Sequence, residues 1–304
     1  MNRLLITTSI IGIIGYHAPQ AFAEIGSVSD SSVKNIATHL DEKYEIPNWL
    51  ERTEFQVDFG GKPTWSVLTV QPLYQSEDLK NTFFTQLSAF NYEEFGENRT
   101  TTNIGLGYRE LFLEDKLLLG ANTFYDHEWK YDHKRIGIGL EARSNPIEVN
   151  ANYYNAISGI ENVSASVTER ALDGYDAEIG VQVPYLPWAK VFAKTYKWEG
   201  DVADDTIGRT FSMRMQPAEW LEVEAGRDDS NNYDSEDFVK ISFRLALDEP
   251  EKQTVWVDTK PFAYEETMRE KTLEKVRRTN KIVVERVSNA GGGGSLTVVV
   301  GRGT

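Results

Sequence analysis

Residues 135–143 read Arg135-Ile136-Gly137-Ile138-Gly139-Leu140-Glu141-Ala142-Arg143, and their alternation decides the fold. One set of alternate positions holds Ile136, Ile138, Leu140 and Ala142; the other holds Arg135, Gly137, Gly139, Glu141 and Arg143. A period of two puts the two sets on opposite faces of a strand. An unbroken apolar face backed by a charged, glycine-rich one fits a membrane barrel with lipid outside and water within. The same pattern runs through the neighbouring segments from Arg99 to Tyr154.

Working outward, twelve segments alternate in this way: Thr53 to Phe59, Thr64 to Tyr74, Thr82 to Asn91, Thr100 to Phe112, Lys116 to Asp126 and Lys134 to Arg143, then Ile147 to Ile157, Tyr175 to Val183, Ala189 to Trp198, Ile207 to Gln216, Trp220 to Arg227 and Asp237 to Leu247. Most reach the ~9–11 residues that a tilted strand needs to cross a bilayer. The expected fold is an all-β, twelve-stranded antiparallel transmembrane barrel. Its outward positions include Ile104, Leu106, Leu119, Ala177, Ile179, Phe211 and Val223. Its inward positions include Arg109, Arg135, Glu141, Arg143, Glu148, Glu178, Lys190, Lys194, Arg214, Glu222, Glu224, Lys240 and Arg244. A soluble sandwich would bury the same apolar face against a second sheet, and alternation alone does not separate the two.

The connections favour the barrel. Long acidic breaks (Asn155 to Gly174, Gly200 to Thr206, Asp228 to Glu236) alternate with tight proline-marked ones (Ser144-Asn145-Pro146, Pro184 to Trp188, Pro217-Ala218-Glu219). Long loops outside and short turns in the periplasm are the asymmetry of bacterial barrels. Tyr74, Phe112, Tyr125, Trp129, Trp188, Trp198 and Trp220 stand at strand ends, where interfacial girdles belong.

Targeting agrees with this location. Arg3 precedes an apolar run from Leu4 to Ile14, and Ala21-Phe22-Ala23 supplies a cleavage site before Glu24. That is the layout of a secretory signal peptide over residues 1–23. Removing Arg3 with it leaves 31 basic residues against 47 acidic, a net charge of −16 that argues against nucleic-acid binding. There is no cysteine, which excludes disulfides, thiol chemistry and thiolate metal sites. Mean hydropathy is −0.45, and no later segment approaches about 18 consecutive apolar residues, so a spanning helix is not expected.

The alternation stops after Leu247. Residues 24–52 read as a short periplasmic lead, 53–248 as the barrel, 249–290 as a linker and 291–304 as a tail whose glycine-rich start has flexible composition. Within the linker, Tyr264 to Val287 reads as a charged helix, with Glu270, Glu274 and Arg278 at helical pair spacing. Such a segment either stands in solvent or threads a charged lumen.

At this point the motifs resemble those of a known family. The runs Arg99-Thr-Thr-Thr-Asn103-Ile-Gly-Leu-Gly-Tyr108-Arg109 and Leu119-Gly120-Ala-Asn122-Thr-Phe-Tyr-Asp126-His127, with Asn150 to Tyr154, Gly174-Tyr175-Asp176 and Lys275 to Arg286, are similar to the inverse autotransporter β-domain of intimin and invasin. The resemblance covers roughly Trp49 to Val287. It implies a barrel whose chain turns back through the lumen and displays a passenger outside, of which the glycine-rich residues 291–304 would be a remnant, the passenger being nearly absent. It also implies outer-membrane lipid as the surroundings, with barrel-assembly machinery and periplasmic chaperones as assembly partners. The last strand, with Val239, Ile241, Phe243 and Leu245, would be the assembly signal, and a host-cell receptor is implied only where a passenger is present. The span Glu24 to Leu50 has room for a short helix rather than a peptidoglycan-binding module.

Two rival chemistries compete with an anchoring role. Asp126-His127, Asp132-His133 and Asp228-Asp229 fall in the proposed outer loops, and a His–Asp pair there could serve a barrel protease as general base. Asp126, His127, Asp132 and His133 could also hold a metal, although a single loop lacks fixed ligand spacing. Neither reading outweighs the anchor, for which no catalytic, metal or cofactor residue is expected. A simple pore is the third class, since a barrel this wide leaks if its lumen is empty. Inward Arg109, Arg135, Arg143, Lys190, Lys194, Arg214 and Arg244 face a comparable number of carboxylates. Such a network either stiffens the wall, or grips the linker, or does both.

Overall fold

The structure is a computed structural model that describes residues 48–59, 64–218, 220–244, 255–262, 267–289 and 296–300. The expected leader, the Ala23–Glu24 junction and Leu245 lie outside the described residues. One helical turn, α1 (Asn48–Glu51), precedes the sheet. The first seven strands are β1 (Thr53–Asp58), β2 (Thr64–Gln75), β3 (Asn81–Glu94), β4 (Glu97–Phe112), β5 (Leu117–Glu128), β6 (His133–Arg143) and β7 (Ile147–Ala156). A short hairpin of β8 (Ile160–Ser164) and β9 (Val167–Ala171) follows. Then come β10 (Gly174–Val183), β11 (Leu186–Trp198), β12 (Thr206–Ala218), β13 (Leu221–Ser230) and β14 (Glu236–Arg244).

Strands β1–β7 and β10–β14 form one closed antiparallel barrel of twelve, in which β1 pairs with both β2 and β14. Closure removes every sheet edge, as a strand in lipid requires. The faces settle what alternation alone left open. On β6 the polar set Arg135, Gly137, Gly139, Glu141 and Arg143 is buried, while Ile138 and Leu140 are 58% and 66% exposed. A soluble sheet would do the opposite. An apolar girdle left outside a polar interior identifies hydrocarbon as the outer solvent. No helix among the described residues is long and apolar enough to cross a membrane; the strands do the crossing.

One expectation is corrected. The segment Tyr264 to Val287 is not a helix: its described part, from 267 on, holds one 3₁₀ turn at Arg269–Lys271 and ends in a strand, β15 (Val284–Asn289). A last strand, β16 (Leu296–Val300), pairs with β15. These two join the β8–β9 hairpin in a second sheet, ordered β16-β15-β9-β8. That sheet grows out of the long β7–β10 connection and so stands beyond the outer mouth.

The absence of the helix has a physical reason. Residues 272–283 must pass from one mouth to the other. Extended, those 11 steps cover about 36 Å, enough for a core of about 30 Å; as an α-helix they would cover only about 17 Å.

Candidate functional site in the barrel lumen

The linker enters beside the periplasmic turn between β4 and β5. Leu113, Glu114 and Asp115 all have positive φ there, an unusual run for residues with side chains. The turn presents the Asp115 carbonyl to the Met268 N–H (2.7 Å) and its carboxylate to Arg269 Nε (2.5 Å). Met268 packs with Leu111 and Leu118. Nearby, residues 255–262 lie along the Pro184–Pro187 turn: the Tyr185 N–H donates to the Pro261 carbonyl, and Trp188 Nε1 to the Trp256 carbonyl.

From Thr272 on, the wall supplies the partners that a helix would have found within itself. Arg109 Nη1 donates to the carbonyls of Thr272 (2.8 Å) and Glu274 (2.6 Å). Arg143 donates to the Lys275 carbonyl, Asn152 to that of Arg277, Arg135 to that of Thr279 and Asn103 to that of Asn280. The N–H groups of Val276 and Thr279 go to Gln86 Oε1 and the Tyr154 hydroxyl.

The linker cations meet wall carboxylates in sequence, while Glu274 meets the wall cation Arg143 at 3.4 Å. Lys275 binds Glu54 (2.5 Å) and Glu222 (2.9 Å). Arg277 binds Glu178 and Glu224, Arg278 binds Asp126 (2.6 Å), and Lys281 binds Glu94. Between these charges Val276 is buried with Leu68, Val70, Phe84 and Phe124. Wall aromatics lie flat under guanidiniums: Phe84 under Arg109, Phe124 under Arg278, and Phe192 under both Arg214 and Arg277, at 4.2–4.5 Å. Glycines on the neighbouring strand make room for the rings, as at Gly107 beneath Phe84.

The residues expected inside therefore divide into two groups. Arg109, Arg135, Arg143, Glu178, Lys194, Glu222 and Glu224 touch the linker, Lys194 through Thr279 Oγ1 at 3.1 Å. Glu141 backs Arg109 and Arg143, at 2.6 and 2.7 Å. Glu148 with Lys190, Lys240 with Asp58, Arg244 with Glu54, and Arg214 near Glu222 and Glu224 pair within the wall. Sequence reasoning missed Glu54, Gln86, Glu94, Tyr154 and Asp176 as contacts. Their inward parity was the available signal. Of the last-strand residues, Val239 and Phe243 are partly covered and Ile241 is buried.

At the outer mouth the exit is clasped. Strand β15 adds to β9, with Val284 opposite Ala171 and Ser288 opposite Val167. The buried Glu169 carboxylate accepts two bonds from Arg99 (2.6 and 2.8 Å) and one from Arg286 Nε (2.6 Å), with His133 Nε2 at 3.1 Å. Glu285 accepts the N–H groups of Val202 and Ala203 from the β11–β12 loop. Burial pushes the Glu169 pKa up, but the bonds from His133, Arg99 and Arg286 outweigh that and hold it at about 2, below its ordinary 4.5. A depressed carboxylate stabilises the fold fully above pH 4.5 and loses that contribution as pH falls toward 2. Glu169→Gln should weaken protection of the β15 amides in hydrogen exchange at pH 7 by about 1.5–3 kcal/mol. The difference from wild type should shrink as pH drops from 4.5 to 2.

The proposed Asp/His pairs are separated by the wall. Asp126 faces the lumen between Arg135 and Arg278, and His133 belongs to the clasp. His127 points outward between Tyr125 and Trp129 and meets Asp132 at 2.8 Å. Asp132 is exposed, and its carboxyl is held below the usual range by Lys134 and then by His127. Asp228 turns inward to Tyr196 and Thr210, whereas Asp229 turns out. The four groups weighed as a metal site therefore do not converge.

A closed twelve-stranded barrel with apolar outer walls and its own chain threaded through the lumen is an outer-membrane barrel protein. The chain belongs to the inverse autotransporter β-domain family, whose model matches residues 20–280. It is 30% identical to invasin of Yersinia enterocolitica over 194 residues, 61% of this chain and 21% of invasin. It is 31% identical over 152 residues to a putative attaching and effacing protein homolog of Escherichia coli K12, 47% of this chain and 49% of that protein. It thus spans between a fifth and a half of the length of these relatives. A solved chain described under "Unveiling the Mechanism Behind the in-meso Crystallization of Membrane Proteins" shares the fold, with a TM-score of 0.64 at 21% identity over 77% of this chain and 99% of that one.

Proposed function

We propose that this chain is an outer-membrane anchor and translocator that holds its own linker in the lumen and presents the polypeptide beyond it at the cell surface, in the service of adhesion. The observation that carries the reading is the unbroken series of linker contacts, from Asp115 at the periplasmic turn to Glu169 at the outer clasp. Export of this kind requires no nucleotide and no catalytic residue; folding of barrel and passenger supplies the drive. Cleavage after Ala23 would release the mature chain. The barrel-insertion machinery and periplasmic chaperones would assemble it, with the last strand (Val239, Ile241, Phe243, Leu245) as signal, and a host receptor would be met by a passenger. The boundaries 24–52, 53–248 and 249–290 serve as its lead, barrel and linker. The protease alternative fares poorly, because His127 and Asp132 sit on the outer wall within an aromatic girdle, away from Asp126 and His133.

The test is electrical and topological. The intact protein in a planar bilayer should conduct weakly, and a chain ending at Asp248 should conduct far more. An epitope fused after Thr304 should appear on intact cells, unchanged by His127→Ala and lost when residues 267–289 are deleted. An intact protein that is already wide open, or an epitope that reaches the surface without the linker, would sink the reading.

A further inference from the structure

The outer wall carries a feature that the linker does not use. Across β7, β10, β11, β12 and β13, the outward residues of one hydrogen-bonded row are Ala151, Ala177, Thr195, Arg209 and Asp229, each opposite the next in register; because the strands tilt, the row slants through the membrane. The row above it is bulky, with Tyr153, Tyr175, Lys197 and Ile207 in register, and the row below holds Val149, Ile179, Ala193 and Phe211. Small side chains between large ones leave a groove of about 870 Å³ on the lipid-facing wall, lined by Ala177, Ile179, Thr195, Arg209 and Phe211 and continuing to Asp229 on β13. Elsewhere this wall meets hydrocarbon with protruding Ile, Leu and Tyr.

Arg209 is the anomaly. It lies three residues from the start of β12, about 10 Å along a tilted strand and one row beneath the tyrosines. A cation on the lipid face costs about 2–4 kcal/mol at mid-bilayer and about 0–1 near the interface, so at this depth a counter-charge matters. The neighbouring outward cations have theirs: Lys197 reaches Asp205 at 2.8 Å, and Arg227 reaches Asp237 at 3.6 Å. The Arg209 side chain is exposed and makes no hydrogen bond or ion pair among the described residues. Asp229, opposite in register, accepts from Ser235 Oγ instead (2.9 Å).

We propose that this groove is a site for a phosphate-bearing lipid of the outer leaflet, with one acyl chain laid along the row of small residues and the phosphate on the Arg209 guanidinium. A planar guanidinium binds phosphate bidentately, and its long apolar stem lets the charge rise to the headgroup layer. The groove supplies the shape and Arg209 the charge. This site is independent of linker threading and of export.

The test uses the full chain in detergent with hexa-acylated lipid A as probe, read by native mass spectrometry. Wild type should retain lipid A roughly tenfold more strongly than Arg209→Gln. Lipid A stripped of its phosphates should bind wild type no better than intact lipid A binds the variant. Ala177→Phe, which fills the groove, should weaken both forms of the lipid. Equal retention by wild type and Arg209→Gln, or equal retention with and without phosphate, overturns the proposal. The phosphate comparison is made on wild type, so it stands even where a variant folds poorly. The unboiled gel shift of each variant shows whether its barrel is closed.

Discussion

Replacing Asp126 by alanine is expected to destabilise the barrel by about 3–5 kcal/mol, the usual cost of removing one partner from a buried ion pair. The carboxylate is completely buried and answers two guanidiniums, Arg135 from the wall (2.8 Å) and Arg278 from the linker (2.6 and 3.0 Å), as well as the Asn103 amide (2.7 Å). Both arginines are themselves buried, so neither can turn to bulk water when the carboxylate goes. The temperature at which the unboiled, folded band is lost on a gel should fall well below that of wild type. Conductance should rise at the same time, because Arg278 no longer holds the linker against β5. Adding Arg278→Met to Asp126→Ala should recover part of the loss by removing one of the two stranded charges. If the single variant melts with wild type, the Asp126 contacts contribute little, and the linker is held by its backbone bonds and by Val276.

How much of this was legible in the chain follows from where the determining partner sits. The wall of β6 was readable because both of its solvents are uniform: hydrocarbon on one side and lumen on the other impose the same parity on every residue. Strand ends came within a few residues for the same reason, as with Ile147 to Ile157 expected and Ile147–Ala156 found. The linker was not readable by such means. Lys275-Val276-Arg277-Arg278 is made largely of good helix formers, and nothing local shows that Arg109, Arg135, Arg143 and Asn152 will take carbonyls between Thr272 and Thr279 from as far as 165 residues away. Asp126 was misplaced for a related reason. Standing next to His127, it looked like half of an outer-loop pair. Its parity with Asn122 and Phe124 already put it inside, and the period of two should have outranked adjacency. The β8–β9 hairpin escaped because strands of five residues such as Ile160–Ser164 carry too little alternation to stand out. The two pair with each other, and β9 alone pairs with β15.

Gly105→Ala provides the sharpest test of how the lumen is packed. A methyl group there would lie 2.2–2.6 Å from three ring atoms of Phe124, so the ring must leave its place. It has little freedom to do so. Phe124 is buried, with Arg278 over its ring at 4.2 Å, and that guanidinium is fixed by Asp126. Displacing the ring therefore pushes the linker rather than a loose side chain, and overpacking of this kind costs about 1–3 kcal/mol. Glycine is required at this position for the close approach of an aromatic ring, with no demand from backbone conformation. It follows that the cost should largely vanish in a Phe124→Ala background, where the methyl group finds space. A double-mutant cycle on the gel-shift midpoint measures the coupling. Additive effects would mean that the ring relaxes without moving Arg278. The stack of glycine, aromatic ring and arginine would then be lumen filler, with no hold on the linker.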